Sequence, residues 1–211
     1  MNKIFFGVVF ILLLQSLQAQ TVRMEAPAIE SLRSRVKKVA DNTRTLISDF
    51  IQVKEMKMLK ENLVSKGKFY FKKEKSLRWE YLTPYSYIIM IHDDRITIRD
   101  EEKVNRFDLK SNKVFLEINR VILGSIRGTL LYDEVNFKPT FYQSRDAYRV
   151  ELQTLNPKLR ESLPGIIISF DKSDYSVTRV EMMEAGNDRT VITFSNKKTN
   201  QPIGDEKFDI R

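Results

Sequence analysis

The only histidine in this 211-residue chain, His92, stands beside Asp93 and Asp94. An imidazole next to two carboxylates is the set that general acid–base chemistry or a metal ion would use. A metal centre needs several converging ligands, and the chain has no second histidine and no cysteine to complete one. Adjacent aspartates between two β-rich runs read more simply as a hairpin turn. No Gly-rich phosphate loop and no Gly-x-Ser-x-Gly elbow occurs. The residues therefore argue against an enzyme, and neither a cofactor nor a metal is expected.

A different chemistry, apolar recognition, is written into residues 67–84, GKFYFKKEKSLRWEYLTP. Phe69 and Phe71, then Leu77, Trp79 and Tyr81, recur at every second residue. That is the strand period, and it puts all five on one face of a sheet. Lys72-Lys73-Glu74-Lys75-Ser76 makes a polar connector, and Pro84 ends the second run because it cannot donate to a ladder. The pair predicts a hairpin with one aromatic face and one charged face. Such a face is either plain core or the lining of a cavity for something apolar.

The elements around it read as follows. Residues 20–27 form a flexible leader. A helix over 28–40 carries Ile29, Leu32, Val36 and Val39 as one apolar stripe, with Arg33, Arg35, Lys37 and Lys38 opposite. Strands are predicted over 46–58, 63–72, 76–82, 87–92, 95–99, 104–109 and 114–116. Ile118, Val121, Ile122 and Ile126 then fit a short helix ending near Gly128 or running on toward Leu131. Gly124 inside it costs about 1 kcal/mol against alanine, so packing must hold this helix. Strands resume over 135–143, 148–152, 166–171, 176–184, 190–195 and 207–210, with 156–165 a loop punctuated by Pro157, Pro164 and Gly165. Short turns between successive strands imply one antiparallel meander of ten or eleven strands, too wide to stay flat.

Residues 1–19 have the form of a cleaved signal peptide. Lys3 precedes an apolar stretch from Ile4 to Leu14, too short to span a bilayer, and Ala19 suits the cleavage site. About 190 residues remain, enough for one domain over 20–211. Without cysteine there is neither a lipid-anchor site nor a disulfide. The net charge of +8 would suggest nucleic acid inside a cell, but export argues against a nucleic-acid partner. Anionic headgroups, acidic partners or a merely solvated basic surface remain.

The ordered set Ser48-Asp49-Phe50-Ile51-Gln52, Gly67-Lys68-Phe69-Tyr70-Phe71-Lys72-Lys73, Leu77-Arg78-Trp79-Glu80-Tyr81, Pro84 and Asp93-Asp94 before Ile96-Thr97-Ile98 resembles the LolA family of periplasmic outer-membrane lipoprotein carriers. The specific part covers residues 48–98; beyond it only the β-rich pattern and length agree. The chain departs from the family pattern at three points. Lys73-Glu74 stands where members often carry Arg-Pro, which loses the forked donor of arginine. Asp94 stands where an Asp-Gly turn has its glycine. The extended tail of some carriers is missing after Arg211.

The resemblance implies an incomplete, strongly curved antiparallel β-barrel, mainly β with a few helices, covered by a helical lid. It implies an apolar interior that takes the acyl chains of a lipoprotein. Phe50, Phe69, Phe71, Leu77, Trp79, Tyr81, Ile89 and Ile91 are the lining expected. Leu32, Val36 and Val39 with Val121, Ile122 and Ile126 are the inner face of the lid, and Lys73 is the cargo-transfer residue. The partners implied are acylated lipoproteins, an inner-membrane ABC transporter that releases them and an outer-membrane acceptor, with the carrier a monomer. The same fold also serves lipid-binding and lipoprotein-sensing modules in dedicated pathways, which is the alternative reading.

Overall fold

The computed structural model describes residues 21–209 other than 74, 75, 102 and 112. The expected signal peptide lies outside the described residues. Among them the chain forms β1 (Val22–Arg23), α1 (Ala26–Asn42), β2 (Thr45–Glu55), β3 (Leu63–Lys72), β4 (Ser76–Thr83), β5 (Tyr87–His92), β6 (Arg95–Asp100) and β7 (Lys103–Asp108). After these come α2 (Lys113–Ile126), β8 (Phe137–Gln143), β9 (Ala147–Thr154), the single turn α3 (Pro157–Arg160), β10 (Gly165–Asp171), β11 (Val177–Met183) and β12 (Arg189–Thr199).

All twelve strands belong to one antiparallel sheet in the order β1-β8-β9-β10-β11-β12-β2-β3-β4-β5-β6-β7. Two meanders, β2 to β7 and β8 to β12, are joined where β12 pairs with β2, from Arg189 opposite Glu55 to Thr199 opposite Leu46. The outer strands β1 and β7 do not pair, so the barrel is incomplete. The segment between β7 and β8 has to cross from one half of the sheet to the other, and it does so as α2. Together α1 and α2 bury their apolar stripes against one large core: Leu32, Val36, Val121 and Ile122 are each at most 2% exposed.

The helix ends explain where the helices stop. Pro27 lies in the first turn of α1, where its missing N–H costs nothing, so the helix begins at Ala26 and not at residue 28. The residues expected to be a loose leader are tied down: Val22 and Arg23 pair with Gln143 and Tyr142, and Met24 enters the core. An apolar side chain and an unpaired edge of β8 together outweigh the freedom of a short polar segment. At its other end α2 gives way to Gly128 at φ +66°, a left-handed residue that closes a helix and favours glycine. A Cβ there would stand 2.8 Å from Cγ1 of Val36, so the same glycine lets α1 pack closely. Gly124 is buried against Leu130, the packing that its low helix propensity calls for.

Two further expectations are corrected. Residues 114–116 are the start of α2, not a strand. Three alternating residues are too few to outweigh the helical spacing that runs on through Ile118, Val121, Ile122 and Ile126. Residues 207–209 are not strand either; a 3-10 turn over Asp205–Phe208 lies on the convex side of the sheet. Phe208 there joins Tyr70, Ile88 and Met90, apolar side chains on the face that alternation assigns to solvent, so burial decides the conformation. In the turn after β5 the positive φ of 51° falls on Asp93, not on Asp94.

Candidate functional site

The strand period places the sequence-picked side chains together on the concave face. Phe69 is opposite Trp79 and Phe71 opposite Leu77 across β3 and β4. Trp79 is opposite Ile89 and Leu77 opposite Ile91 across β4 and β5. Phe50 of β2 lies opposite Gly67, which is opposite Tyr81 in turn. All are buried except Ile89, which is half-buried against the same core. Gly67 makes this arrangement possible by bringing two strands unusually close. A Cβ on it would lie 1.9 Å from the carbonyl oxygen of Glu80 and 2.8 Å from the Phe50 ring.

The rings pack on one another. Trp79 meets Phe69 at 4.5 Å between centroids and Phe50 edge-on at 4.9 Å, and Tyr81 stacks on Tyr87 at 4.2 Å. The Tyr81 hydroxyl donates to Oε1 of Gln52 at 3.0 Å. The Phe50-x-Gln52 spacing thus puts a ring and an amide on the same face, and the amide satisfies the one polar atom that Tyr81 brings into the interior. Burial, with Tyr87 beside it, pushes the Tyr81 phenol far above its ordinary range, so it stays neutral and a donor.

Open space lies under the helices, next to this cluster. A small cavity of about 40 Å³, room for roughly one water, is bounded by Val36 and Val39 of α1, Ile126 of α2, and Leu46, Phe170 and Phe194 of the sheet. A larger cleft of about 330 Å³ opens beside it. Its apolar wall is Ala40, Phe71 and Ile126, and its rim carries Lys37, Lys73 and Arg127. Of the expected lining residues Phe71 borders this cleft; of the expected lid residues Val36, Val39 and Ile126 border one space or both.

Lys73 sits where α1, α2 and the β3–β4 turn meet. Its backbone N–H donates to Arg44 O at 2.8 Å, and its Nζ donates to Asp41 O at 2.7 Å. Arg127, one residue past α2, reaches the Lys73 carbonyl at 3.4 Å. The last carbonyls of a helix have no intrahelical partners and carry its negative pole. In α1 each of the last four is met: Val39 by the Thr43 hydroxyl, Ala40 by the Thr43 N–H, Asp41 by Lys73 and Asn42 by Asn200. Lys73 and Asn200 therefore each tie the end of α1 to the sheet, Lys73 from the end of β3 and Asn200 from the end of β12.

Sequence reasoning missed part of the interior. Phe194 of β12 pairs with Phe50 and touches Phe69 and Trp79 at 5.5 and 6.1 Å. The alternation Thr190, Ile192, Phe194 was the available signal, but which strand β12 joins is a long-range matter. Arg33, expected on the solvated side of α1, lies against Tyr132 and Phe141 at 5.3 and 5.2 Å and is paired with Glu134. His92 is exposed, with Nδ1 held by the Ser76 hydroxyl at 2.7 Å. Among the described residues no group of three or more His, Cys, Asp or Glu is placed to hold a metal ion.

Known proteins bear on this geometry in two ways. In fold, the chain is similar to MucB, with TM-score 0.52 at 9% identity over 88% of this chain and 64% of that one. It is also similar to an uncharacterized conserved protein from Thermus thermophilus, with TM-score 0.52 at 8% identity over 87% and 94% of the two chains. A LolA superfamily protein from Nitrosomonas europaea aligns with TM-score 0.48 at 11% identity over 86% and 97%. No curated protein matches the sequence. The family profile described as outer membrane lipoprotein carrier protein LolA matches residues 41–211, most of the chain, so the protein belongs to the LolA family.

Proposed function

We propose that this protein is a periplasmic carrier that binds lipoprotein acyl chains in its apolar interior and shuttles lipoproteins from the inner to the outer membrane. Membership of a family of non-enzymatic, periplasmic carriers supports the reading. The observation that carries it is a concave apolar face roofed by two amphipathic helices, with Lys73 reaching the end of α1 beside an open cleft. Phe50, Phe69, Phe71, Leu77, Trp79, Tyr81, Ile89 and Ile91 supply the face that acyl chains would enter. Leu32, Val36, Val39, Val121, Ile122 and Ile126 form the side of the lid that would cover them. Lys73 controls the lid and so cargo transfer. An inner-membrane ABC transporter loads the mature chain, 20–211, and an outer-membrane acceptor unloads it; the protein acts as a monomer.

Native mass spectrometry of the protein from its own periplasm tests this. A bound triacylated lipoprotein is the result expected. A small lipid in its place would assign the protein to a dedicated lipid pathway. Failure to load even after incubation with spheroplasts would exclude a carrier and leave a sensing module.

A further inference from the structure

More than half of the exposed large apolar side chains among the described residues lie between residues 51 and 85. They gather at one end of the sheet. The loop between β2 and β3 carries Met58, 94% exposed, and Leu59. Leu63 and Val64 begin β3 opposite Lys54 and Val53. Leu82 is next to the end of the neighbouring β4, where Thr83 is opposite Lys66, and Tyr85 follows at 77% exposed. This is the end of β3 away from Lys73, so the patch is separate from the cleft and the lid. A methionine almost wholly in water is costly and has no packing role here.

Charge accompanies the patch. Residues 54–66 hold four lysines, Lys54, Lys57, Lys60 and Lys66, against two glutamates, and Lys57 and Lys60 stand in the loop itself. Lys54 is paired with Glu184, while Lys57, Lys60 and Lys66 are exposed and, among the described residues, make no ion pair. The loop is held in place as well: the Lys57 N–H donates to Asp188 and the Leu59 N–H to Met56 O. Exposed apolar residues at a loop tip, flanked by cations on long apolar stems, match an interface of acyl chains below and phosphates above. A protein partner would more often offer a groove for such residues and acids for such lysines. No helix among the described residues is long and apolar enough to cross a membrane.

We infer that the β2–β3 loop, with Leu63, Val64, Leu82 and Tyr85, docks the protein on anionic lipid bilayers, Met58 and Leu59 entering the headgroup layer while Lys57, Lys60 and Lys66 meet the phosphates. This surface is independent of acyl-chain carriage: it can hold if the interior takes no cargo, and fail if it does.

The chain lacks cysteine, so Met58→Cys gives a unique site for an environment-sensitive dye on the mature chain. With vesicles of phosphatidylethanolamine and phosphatidylglycerol the dye should shift to the blue, and with phosphatidylcholine alone it should not. Flotation with the same vesicles should fall roughly tenfold or more for Met58→Asp/Leu59→Asp, since two apolar groups then leave the interface. It should also weaken for Lys57→Glu/Lys60→Glu/Lys66→Glu and in 1 M salt, where the screening length drops to about 3 Å. These side chains are exposed, and circular dichroism checks that the variants fold. No dye shift with anionic vesicles would overturn the inference. So would flotation that Met58→Asp/Leu59→Asp leaves unchanged, because the basic surface at large would then be responsible. A shift that requires a membrane protein in the vesicles would overturn the lipid as the occupant.

Discussion

Replacing Lys73 by methionine removes the ammonium and keeps the length and apolar stem of the side chain. Its Nζ at 2.7 Å from Asp41 O combines a charge-assisted hydrogen bond with the negative end of the α1 dipole. Buried, such a contact is worth 1.5–3 kcal/mol by general experience (about 2). Lys73 is exposed, so screening reduces the value to about 1 kcal/mol. That amounts to roughly fivefold in the equilibrium between lid held and lid released. The core under α1 is untouched, because Leu32 and Val36 keep their packing, so the melting temperature should fall by only about 2–4 °C.

Hydrogen exchange resolved along the chain reads this directly. The amides in the last turns of α1 should exchange about fivefold faster in Lys73→Met, while those of β9 to β11 should not change. Lys73→Arg, which keeps a donor at this place, should restore the slow rate. If exchange at the α1 end moves by less than twofold, Lys73 does not hold the lid and its place in transfer goes with it. If exchange rises everywhere alike, the substitution has lowered global stability and the local-latch argument fails. With a carrier, the same variant should take up an acylated peptide normally and hand it over at an altered rate.

Gly67→Ala should destabilise strongly, because the new Cβ meets a main-chain oxygen that cannot rotate away. Overpacking of this kind costs about 3 kcal/mol, or roughly 6–12 °C in melting temperature; a loss under 2 °C would mean that β3 and β4 adjust freely. Trp79 is the only tryptophan and sits among Phe50, Phe69 and Phe194, so its emission should change on titration with a long-chain acyl ligand. A flat titration at saturation removes these residues from the lining. Burial raises the pKa of Glu80, but hydrogen bonds from Arg78 and Lys207 outweigh it and hold the carboxyl below its usual range. A depressed pKa stabilises above the ordinary carboxylate value of about 4.3 and loses that contribution as pH falls through the folded value. Protection factors at residues 203–208, which correct for the intrinsic slowing of exchange in acid, should therefore fall as pH drops below the ordinary carboxylate value of about 4.3, and Lys207→Met should flatten that dependence.

The sequence was most informative where one period runs unbroken. Residues 69–71 and 77–81 each alternate without a slip on either side of a polar connector, and β3, β4 and their shared aromatic face follow from that alone. Pairing β12 with β2 depends on contacts between residues far apart in the chain, which no local period encodes; Phe194 was invisible for that reason. The C-terminal segment failed for a different cause. Lys207 and Phe208 carry a plausible strand pattern, but Tyr70, Ile88 and Met90 leave an apolar strip on the convex side, and covering it outweighs a further rung of ladder. Arg33 shows the limit of binary patterning. Its charge assigns it to solvent, whereas its guanidinium finds two rings and a carboxylate within the fold.

The interior as it stands is filled by its own side chains, and this bears on how a carrier would work. Ring contacts of the kind made by Trp79 with Phe50 and Phe69 are worth about 0.5–1.5 kcal/mol each beyond their burial. Separating several of them to admit a chain costs on the order of 5 kcal/mol on that scale. One long acyl chain gains on the order of 10 kcal/mol on leaving water. Under the carrier reading the cargo can open the cluster, and the cluster, by closing again, offsets part of what must be overcome at release. An interior that stayed open when empty would hold the chain more tightly by the same amount and expose its rings to water between journeys. Collapse of Phe50, Phe69, Trp79 and Tyr81 onto one another therefore lowers affinity where a shuttle needs it lowered. It leaves the lid contact at Lys73, worth only about 1 kcal/mol, as an adjustment on a nearly balanced exchange.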